Sequence, residues 1–471
     1  MKKSLLTILF ASALIIPTMA QQQSPLVNND DEEEEEVIEE TDSVADDEED
    51  EQMRLNPEID IDPDGDDIDI PVPSFINRGA NRIIFNGANW NALRKAFAAS
   101  QTQPVSIVHL GDSHVQADIN TAVTRELLQY DFGNAGRGII TPLKLSNTNQ
   151  PTDYVFSSPD NWSAVKLMSR DWPYTMGFTG TSIHPSMQRS SIRVATSENE
   201  DYNPFSSITI FHGGKLTVDS IINAQGYPIH FRTIPSTDFS HVIMASEEND
   251  VRIYFSSQGD LTVYGVSLSA DKPGLFYHAI GNNGAAYSTY NRIGNVGMGI
   301  RNLSPELVII SLGTNEAFGR LNADQFYNSV DRLVKNIRAA NPEAEILLVT
   351  PMECQKSYSK TVTKRVKVKA GKRKKGKRRK GGGGYKTVKS SVRSYQPNPN
   401  ISRVRDEILR YGKDNSIAVL DWYEVAGGNG ASNTWISNNL FSKDRVHHSA
   451  KGYRLQGRLL YDAIIDALVN K

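Results

Sequence analysis

Cysteine is nearly absent from this chain of 471 residues, with Cys354 as its single example. One cysteine excludes an intramolecular disulfide. The lack of a cysteine near the N-terminus also argues against a lipid-anchored lipoprotein, a class that needs this residue directly after its signal. Long apolar runs are scarce as well, because the N-terminal run at residues 5–16 is shorter than the roughly 20 residues of a membrane-spanning helix.

The N-terminus has the three parts of a secretory signal. Two lysines follow Met1, the apolar run comes next, and residues 17–20 end in the small residue Ala20 before a run of glutamines. This pattern predicts a signal peptide over residues 1–20, cleaved after Ala20. An uncleaved membrane anchor is the alternative, and the short apolar run disfavours it. The sequence therefore predicts an exported protein, periplasmic or extracellular, with no transmembrane segment in the mature chain.

Charge is segregated along the chain, although the net charge is only -4. Residues 29–69 are rich in Asp and Glu and have almost no aromatic side chains, a composition that buries too little apolar surface to offset the entropy of ordering. We therefore predict a disordered acidic linker over residues 21–72. A basic block at 360–393 contains sixteen Lys and Arg residues, and we predict a disordered basic loop over residues 358–396.

The two charged blocks leave three kinds of partner open. They can neutralise each other within one molecule, or the segment 360–393 can contact an anionic envelope polymer. Nucleic acid is the third possibility, because basic runs bind phosphates. The basic run lacks the interleaved aromatic residues that stack on bases, and export places the chain outside the cytoplasm. We therefore predict no nucleic-acid partner.

Apolar strand patterns alternate with helical patterns on both sides of a central region. Strand patterns occupy residues 105–110, 307–312, 345–350 and 417–421, and helical spacing marks residues 90–97, 324–340 and the C-terminal segment. This alternation predicts a three-layer α/β/α fold with a parallel sheet covered by helices on both faces. The predicted domain has two parts, residues 73–142 and 270–471.

The central region, residues 143–269, has a different character. Short stretches of alternating apolar and polar residues, such as 207–211 and 261–266, are separated by Gly, Asn, Asp and Pro. This pattern predicts an antiparallel β-sandwich. Because the α/β pattern resumes afterwards, the sandwich is predicted to be an insertion in the α/β domain.

Gly111-Asp112-Ser113 follows the first predicted strand and opens a predicted helix. A tight turn there can expose the hydroxyl of Ser113, and a helix N-terminus stabilises negative charge. The triplet alone also occurs in ordinary turns. It makes Ser113 the candidate nucleophile only together with a base and an orienting carboxylate.

Asp444 and His447 supply these two groups near the C-terminus. An Asp three residues before a His can bond to imidazole Nδ1, which leaves Nε2 free to accept the serine proton. His448 is the competing base, and the three-residue separation favours His447. We therefore expect a catalytic triad of Ser113, His447 and Asp444.

Two further residues are candidates for an oxyanion hole beside the N–H of Ser113. Asn315 follows the strand that ends at Leu312, and Gly284 follows the apolar stretch 275–280. The alternatives are that Asn315 caps the next helix and that Gly284 serves a turn. All of these candidates follow predicted parallel strands, where open α/β sheets place their sites. The mechanism requires neither a metal nor an organic cofactor.

Together these motifs resemble the SGNH/GDSL hydrolase family, whose blocks run in the same order: Gly-Asp-Ser, a glycine, Gly-x-Asn-Asp and Asp-x-x-His. The resemblance covers roughly residues 76–140 and 270–471 and implies a flavodoxin-like serine esterase. It assigns to the five candidate residues the roles given above. The sequence departs from the family at His114, which replaces Leu, and at Glu316, which replaces Asp; neither position has a catalytic role in the family.

A narrower resemblance is to exported esterases that remove O-acetyl groups from peptidoglycan and have an inserted β-sandwich like a carbohydrate-binding module. Gly111-Asp112-Ser113-His114, then residues 116–118, the insertion and Gly284 carry this likeness. It implies an ester hydrolase acting on acylated envelope polysaccharide. A lipase, thioesterase or arylesterase with the same triad, and a non-catalytic glycan-binding scaffold, are the alternatives.

Overall fold

The computed structural model describes residues 39–40, 70–196, 203–367 and 385–469. These residues divide into two compact units. One contains residues 39–40, 359–367 and 385–393, and the other contains the remainder. The predicted signal peptide and nearly all of the predicted acidic linker lie outside the described residues.

The strands fall into three sheets. In chain order the strands of the described residues are β1 (Glu39–Glu40), β2 (Pro104–Gly111), β3 (Gly138–Ile140), β4 (Tyr154–Ser157), β5 (Trp162–Lys166), β6 (Thr181–Pro185), β7 (Arg189–Thr196), β8 (Phe205–Asn223), β9 (Phe231–Pro235), β10 (Phe239–Glu248), β11 (Asp250–Ser269), β12 (Gly274–Gly281), β13 (Leu307–Ser311), β14 (Glu345–Val349), β15 (Gln355–Lys367), β16 (Tyr385–Pro397) and β17 (Ala418–Leu420).

The α-helices lie mostly outside the central region of the chain. Among the described residues they are α1 (Asn91–Ala98), α2 (Ser113–Gln116), α3 (Ile119–Phe132), α4 (Tyr287–Tyr290), α5 (Val296–Arg301), α6 (Thr314–Phe318), α7 (Ala323–Ala340), α8 (Asn400–Asp414), α9 (Trp422–Val425), α10 (Ala431–Ser437) and α11 (Ala450–Val469). Of these helices, none is long and apolar enough to cross a lipid bilayer.

The larger unit is built on a parallel sheet with strand order β12-β2-β13-β14-β17. Its strands are almost wholly apolar and buried, as expected for strands covered on both faces. Helix α3 packs on α11 and β12, and α7 packs on α5 and α8. The predicted α/β/α fold is therefore confirmed. In register, Gly111 at the end of β2 lies between Gly281 of β12 and Ser311 of β13.

An antiparallel, β-rich domain is inserted between α3 and β12. Strands β3 to β11 form one connected sheet in which the long strands β8 and β11 pair along most of their length. Apolar residues from both halves of these long strands lie in a single core, including Ile208, Leu216, Ile253 and Val263. The sheet therefore folds over its own core in the manner of a sandwich. Its first strand, β3, begins before the predicted boundary at residue 143.

The basic segment differs from the prediction of a disordered loop over residues 358–396. Its two ends form strands β15 and β16, and β1 pairs antiparallel with β15. Val, Thr and Tyr alternate with Lys in both ends, and β-branched and aromatic side chains favour strands even where the neighbours are charged. Residues 368–384, between the strands, lie outside the described residues.

Candidate active site

Ser113 is presented by a sharp strand-to-helix turn. Strand β2 ends at Gly111 and helix α2 begins at Ser113, while Asp112 Oδ1 accepts a hydrogen bond from the N–H of His114 at 3.0 Å. A Cβ at Gly111 would lie 2.2 Å from Cγ2 of Val115. Only glycine fits this position, so the turn that aims the Ser113 hydroxyl depends on it.

The neighbouring strand β12 also ends in a glycine, which allows another segment of the chain to approach closely. Gly281 lies opposite Gly111 in register, and a Cβ there would lie 2.0 Å from the backbone nitrogen of Gln116. Helix α2 therefore lies directly against the end of β12. This contact fixes the depth at which Ser113 emerges from the sheet.

His447 lies between the predicted nucleophile and the predicted orienting carboxylate. Its Nε2 is 2.7 Å from Ser113 Oγ, and its Nδ1 is 2.6 Å from Asp444 Oδ2. Asp444 and His447 lie at least 331 positions after Ser113 in the sequence. The structure brings the three side chains together in the order that a serine hydrolase requires. Nε2 is placed to accept the hydroxyl proton, and the bond at Nδ1 selects that tautomer.

The loop that carries Asp444 and His447 is held by several bonds. Asp444 Oδ1 accepts hydrogen bonds from the backbone N–H groups of Val446 and His447, both at 3.0 Å. Arg445 has a left-handed backbone with φ 61°. Its guanidinium donates to Gln355 Oε1 and stacks over the ring of Tyr395. These contacts fix the orientation of the imidazole.

The environment of Asp444 keeps it ionised. Burial raises the pKa of this carboxyl, but the hydrogen bond and positive charge of His447 and the N–H groups of Val446 and His447 together outweigh burial, and the net pKa lies below its ordinary value. An ionised carboxylate at this distance would stabilise a protonated His447 ring.

His448 does not compete for the position of the base. It is buried beside the rings of Trp435, Phe441 and Tyr453, and burial lowers its pKa to about 3. The neutral imidazole of His448 packs against these aromatic rings and so supports the loop that carries Asp444 and His447. Of the two adjacent histidines, the structure places His447 at Ser113.

His114 is part of the site in a way that the sequence did not reveal. Its ring lies 5.1 Å from that of His447 and 5.3 Å from that of His448, and its Nδ1 is 3.1 Å from the hydroxyl of Tyr453. Burial and the neighbouring histidines lower its pKa well below the ordinary value. A neutral His114 packs against the ring of His447 without adding charge. The only sequence signal was its departure from the usual Leu.

Gly284 lies in a loop that follows β12 and has φ 77°. Among the residues that the structure describes, none accepts a hydrogen bond from its N–H. Gln116 Oε1 accepts from the N–H of Asn283 at 2.7 Å, and its amide nitrogen donates to Thr148 and Asn149 of the inserted domain. Gln116 thereby positions the loop that carries Gly284.

Asn315 lies on the short helix α6 beside the same loop. Its Nδ2 donates to the backbone oxygen of Ala285 at 2.9 Å and contacts Asp112 Oδ2 at 3.3 Å. The amide thus links the serine turn to the Gly284 loop. A substrate oxyanion would have to replace the longer of these two bonds, so the role of Asn315 as a donor stays a prediction.

Two carboxyls lie behind the site, of which Asp112 is buried and Glu316 is half-buried. Burial raises the pKa of Asp112 to about 6, against the opposing effects of the His114 N–H and the charge of His447. Burial also raises the pKa of Glu316 to about 7, although its Oε1 accepts from the N–H of Tyr287 at 2.7 Å. Within the described residues there is no group of side chains suited to hold a metal ion.

Comparison with solved structures shows what this chain resembles. It is similar to a peptidoglycan O-acetylesterase, with a TM-score of 0.63 and 19% identity over 83% of this chain and 99% of the other. It also matches a lipase/acylhydrolase from Enterococcus faecalis (TM-score 0.28, 15% identity, 42% of this chain and 80% of the other). A carbohydrate esterase family 3 protein from Talaromyces cellulolyticus matches at TM-score 0.27 and 17% identity, over 42% of this chain and 74% of the other.

A search of curated protein sequences gave no match. The family model of the GDSL-like Lipase/Acylhydrolase family matches residues 263–455, a region that runs from the end of β11 into α11 and contains Gly284, Asn315, Asp444 and His447. The fold shared with the O-acetylesterase agrees with this match. Residues 263–455 therefore resemble the GDSL-like lipases and acylhydrolases, and this matched domain supports a carboxylic ester hydrolase.

Proposed function

We propose that this protein is an exported serine esterase that hydrolyses O-acetyl esters on an envelope polysaccharide such as peptidoglycan. The observation that carries the proposal is the continuous set of hydrogen bonds from Ser113 Oγ through the imidazole of His447 to Asp444. This arrangement activates a serine hydroxyl for attack on a carbonyl carbon.

In the acylation step, Ser113 Oγ attacks the ester carbonyl carbon while His447 Nε2 takes the hydroxyl proton. The negative charge that develops on the carbonyl oxygen is stabilised by the N–H groups of Ser113 and Gly284 and by the amide of Asn315. The bond to the sugar oxygen then breaks, and the leaving alcohol receives the proton from His447. Ser113 is left acetylated.

In the deacylation step, a water molecule loses a proton to His447 Nε2 and attacks the acetyl carbon of the acyl-enzyme. The same donors stabilise the second oxyanion. Acetate leaves and the proton returns to Ser113 Oγ, so the enzyme is regenerated. Each proton transfer uses one imidazole, whose orientation Asp444 maintains.

The choice of substrate is supported by the whole-chain likeness to a peptidoglycan O-acetylesterase, which extends through the inserted domain. Export is supported by the signal-peptide pattern of residues 1–20 and agrees with a substrate outside the cytoplasm. The inserted domain gives the enzyme a second surface that can contact the polymer.

Acetate release from O-acetylated peptidoglycan, measured beside hydrolysis of p-nitrophenyl acetate, tests the proposal. Ser113→Ala should abolish both activities, because it removes the nucleophile. Ser437→Ala, which makes the same change at an exposed serine of α10, should retain both.

The possible results separate the alternatives. Release from the polymer that Ser113→Ala abolishes supports triad and substrate together, whereas turnover of the chromogenic ester alone keeps the triad and rejects the polymer. A preference for octanoyl over acetyl esters would favour a lipase. A wild-type protein inactive on all of these esters would favour a non-catalytic scaffold.

A further inference from the structure

A segment of the inserted domain, residues 167–172, lies beside the candidate oxyanion glycine. It follows β5, and its Met168 side chain is 46% exposed although it is large and apolar. A Cβ at Gly284 would lie 3.5 Å from Met168 Cε and 3.6 Å from Cγ, which is ordinary van der Waals contact. Met168 therefore borders the space in front of Gly284.

Arg292 of the hydrolase domain holds this segment in place. Its guanidinium donates to the backbone oxygens of Leu167, Ser169 and Arg170 at 2.9 to 3.0 Å. The same guanidinium stacks 4.2 Å from the ring centroid of Trp172. Three charge-assisted bonds from one planar group fix the backbone on either side of Met168. The position of Met168 is therefore defined by the fold, although its side chain is open to solvent.

The inserted domain also contacts the Gly284 loop from a second side. Asn282 Nδ2 donates to the backbone oxygen of Thr179 at 2.9 Å and to the hydroxyl of Tyr290 at 3.0 Å. Gly180, with φ 76°, lies so close that a Cβ there would be 2.4 Å from Asn282 Nδ2. The loop is thus held between the insertion and the hydrolase domain.

We propose that the inserted domain forms one wall of the acyl site, with Met168 as the specificity-determining residue and Arg292 as its positioning residue. The inference rests on the proposed function. An ester carbonyl oxygen held about 3 Å from the Gly284 N–H places the first acyl carbon within a few ångströms of Met168. A flexible thioether side chain makes apolar contacts, which suit an acyl chain better than a hydroxyl-rich saccharide. Because the Met168 side chain occupies the space next to Gly284, it leaves room for an acetyl group and blocks longer acyl chains.

The test is the ratio of kcat/KM for p-nitrophenyl butyrate to that for p-nitrophenyl acetate. Met168→Ala opens the wall and should raise this ratio at least about tenfold, since one or two methylenes in an apolar pocket discriminate by about that factor or more. Met187→Ala removes a similarly exposed methionine at the turn before β7 and should leave the ratio unchanged. Arg292→Lys keeps the charge but loses the planar fork, and should shift the ratio in the same direction by a smaller factor.

Two results would overturn the inference. An unchanged ratio in Met168→Ala, with acetate hydrolysis intact, would show that Met168 does not border the acyl group. A raised KM for O-acetylated peptidoglycan at an unchanged ratio would place Met168 on the saccharide side instead. Both differ from failure of the proposed function, in which the wild-type enzyme does not depend on Ser113 for ester hydrolysis.

Discussion

At the scale of single residues, the site combines three partly exposed, hydrogen-bonded side chains, Ser113, His447 and Asp444, with closely packed rings behind them. The Asp444 side chain is 44% exposed, yet three hydrogen bonds from its own loop, two from backbone N–H groups and one from the His447 ring, fix it. Behind Ser113, His447 and Asp444 lie three rings in mutual contact, those of the half-buried His114 and of the buried His448 and Tyr453. The geometry of the base is thus set by packing, and its tautomer is set by one carboxylate.

Asp444→Asn should therefore reduce kcat without unfolding the protein. An amide in place of the carboxylate favours the wrong imidazole tautomer and removes the charge that stabilises the imidazolium, so a loss of about 10³ to 10⁴ in kcat is expected. Steady-state hydrolysis of p-nitrophenyl acetate measures it. Asp406→Asn, at an exposed position of α8, is the matched control. If the kcat of the Asp444→Asn variant stays within tenfold of the wild-type value, Asp444 is not part of the triad.

Glu316 predicts a pH dependence of stability. Burial raises its pKa from 4.5 to about 7, so between these values the folded protein keeps a proton that the unfolded chain has released. The free energy of unfolding therefore falls as pH rises through this window. Glu316→Gln removes the ionisable group. Its free energy of unfolding, relative to that of the wild type, should therefore increase by about 3 kcal/mol between pH 4.5 and pH 8.

Urea unfolding at both pH values checks the effect of Glu316. Glu343→Gln, at an exposed position, should follow the wild-type curve. Equal pH dependence of wild type and Glu316→Gln would mean that the buried carboxyl finds a compensating partner when ionised.

The sequence singled out Ser113, Asp444, His447, Asn315 and Gly284 as candidates because each follows a strand or lies in a short motif, and their catalytic roles stay predictions. It could not locate Met168, Gln116 or Arg292 at the site. Their contacts join residues from different domains, at separations that no local pattern records. Local motifs indicate candidate reactive groups, whereas contacts between distant segments leave no local pattern in the sequence.

At the scale of elements, a buried ion network connects α3, β3 and the inserted domain. Asp118 accepts hydrogen bonds from Arg125 and Arg137, and both arginines also contact Asp153. Although burial by itself raises the pKa of Asp118, the two arginines hold it below its ordinary value. Asp118 and Asp153 together neutralise the two arginines at the point where the chain leaves the hydrolase domain.

Asp118→Asn should destabilise the protein by about 3 to 5 kcal/mol, because it leaves buried arginine charge without a full partner. Asp153→Asn makes the same chemical change at a side chain that is 29% exposed, where water can compensate, and should cost less. Chemical denaturation of both variants gives the comparison. Equal losses would show that the network does not depend on burial.

Element prediction succeeded where one physical signal dominated. Strands β2, β13 and β14 are short and mostly apolar, as expected for parallel strands covered on both faces. Strands β15 and β16 were missed because dense positive charge concealed their alternating Val, Thr and Tyr. The early start of the inserted domain was missed because β3 is three residues long and is defined by its pairing with β11, a contact more than a hundred residues away.

At the scale of the whole chain, the unusual property is the separation of charge into an acidic and a basic block. Residues 30–51 contain sixteen acidic side chains, and residues 360–393 contain sixteen basic ones. Within the smaller unit, Glu39 and Glu40 pair with Thr361 and Lys360 of β15. An acidic strand on a basic hairpin edge is the arrangement that charge complementarity favours.

The pairing of the two blocks predicts that the mature chain expands with salt. At about 0.01 M ionic strength the Debye length is near 30 Å, and at about 1 M it is near 3 Å, so attraction between the blocks acts only in dilute salt. The hydrodynamic radius from light scattering should therefore rise between these conditions. A variant that lacks residues 30–51 should show no such rise, because the basic block then has no acidic partner in the chain. An unchanged radius in the complete mature chain would reject pairing and favour the other candidate, in which residues 360–393 contact an anionic envelope polymer.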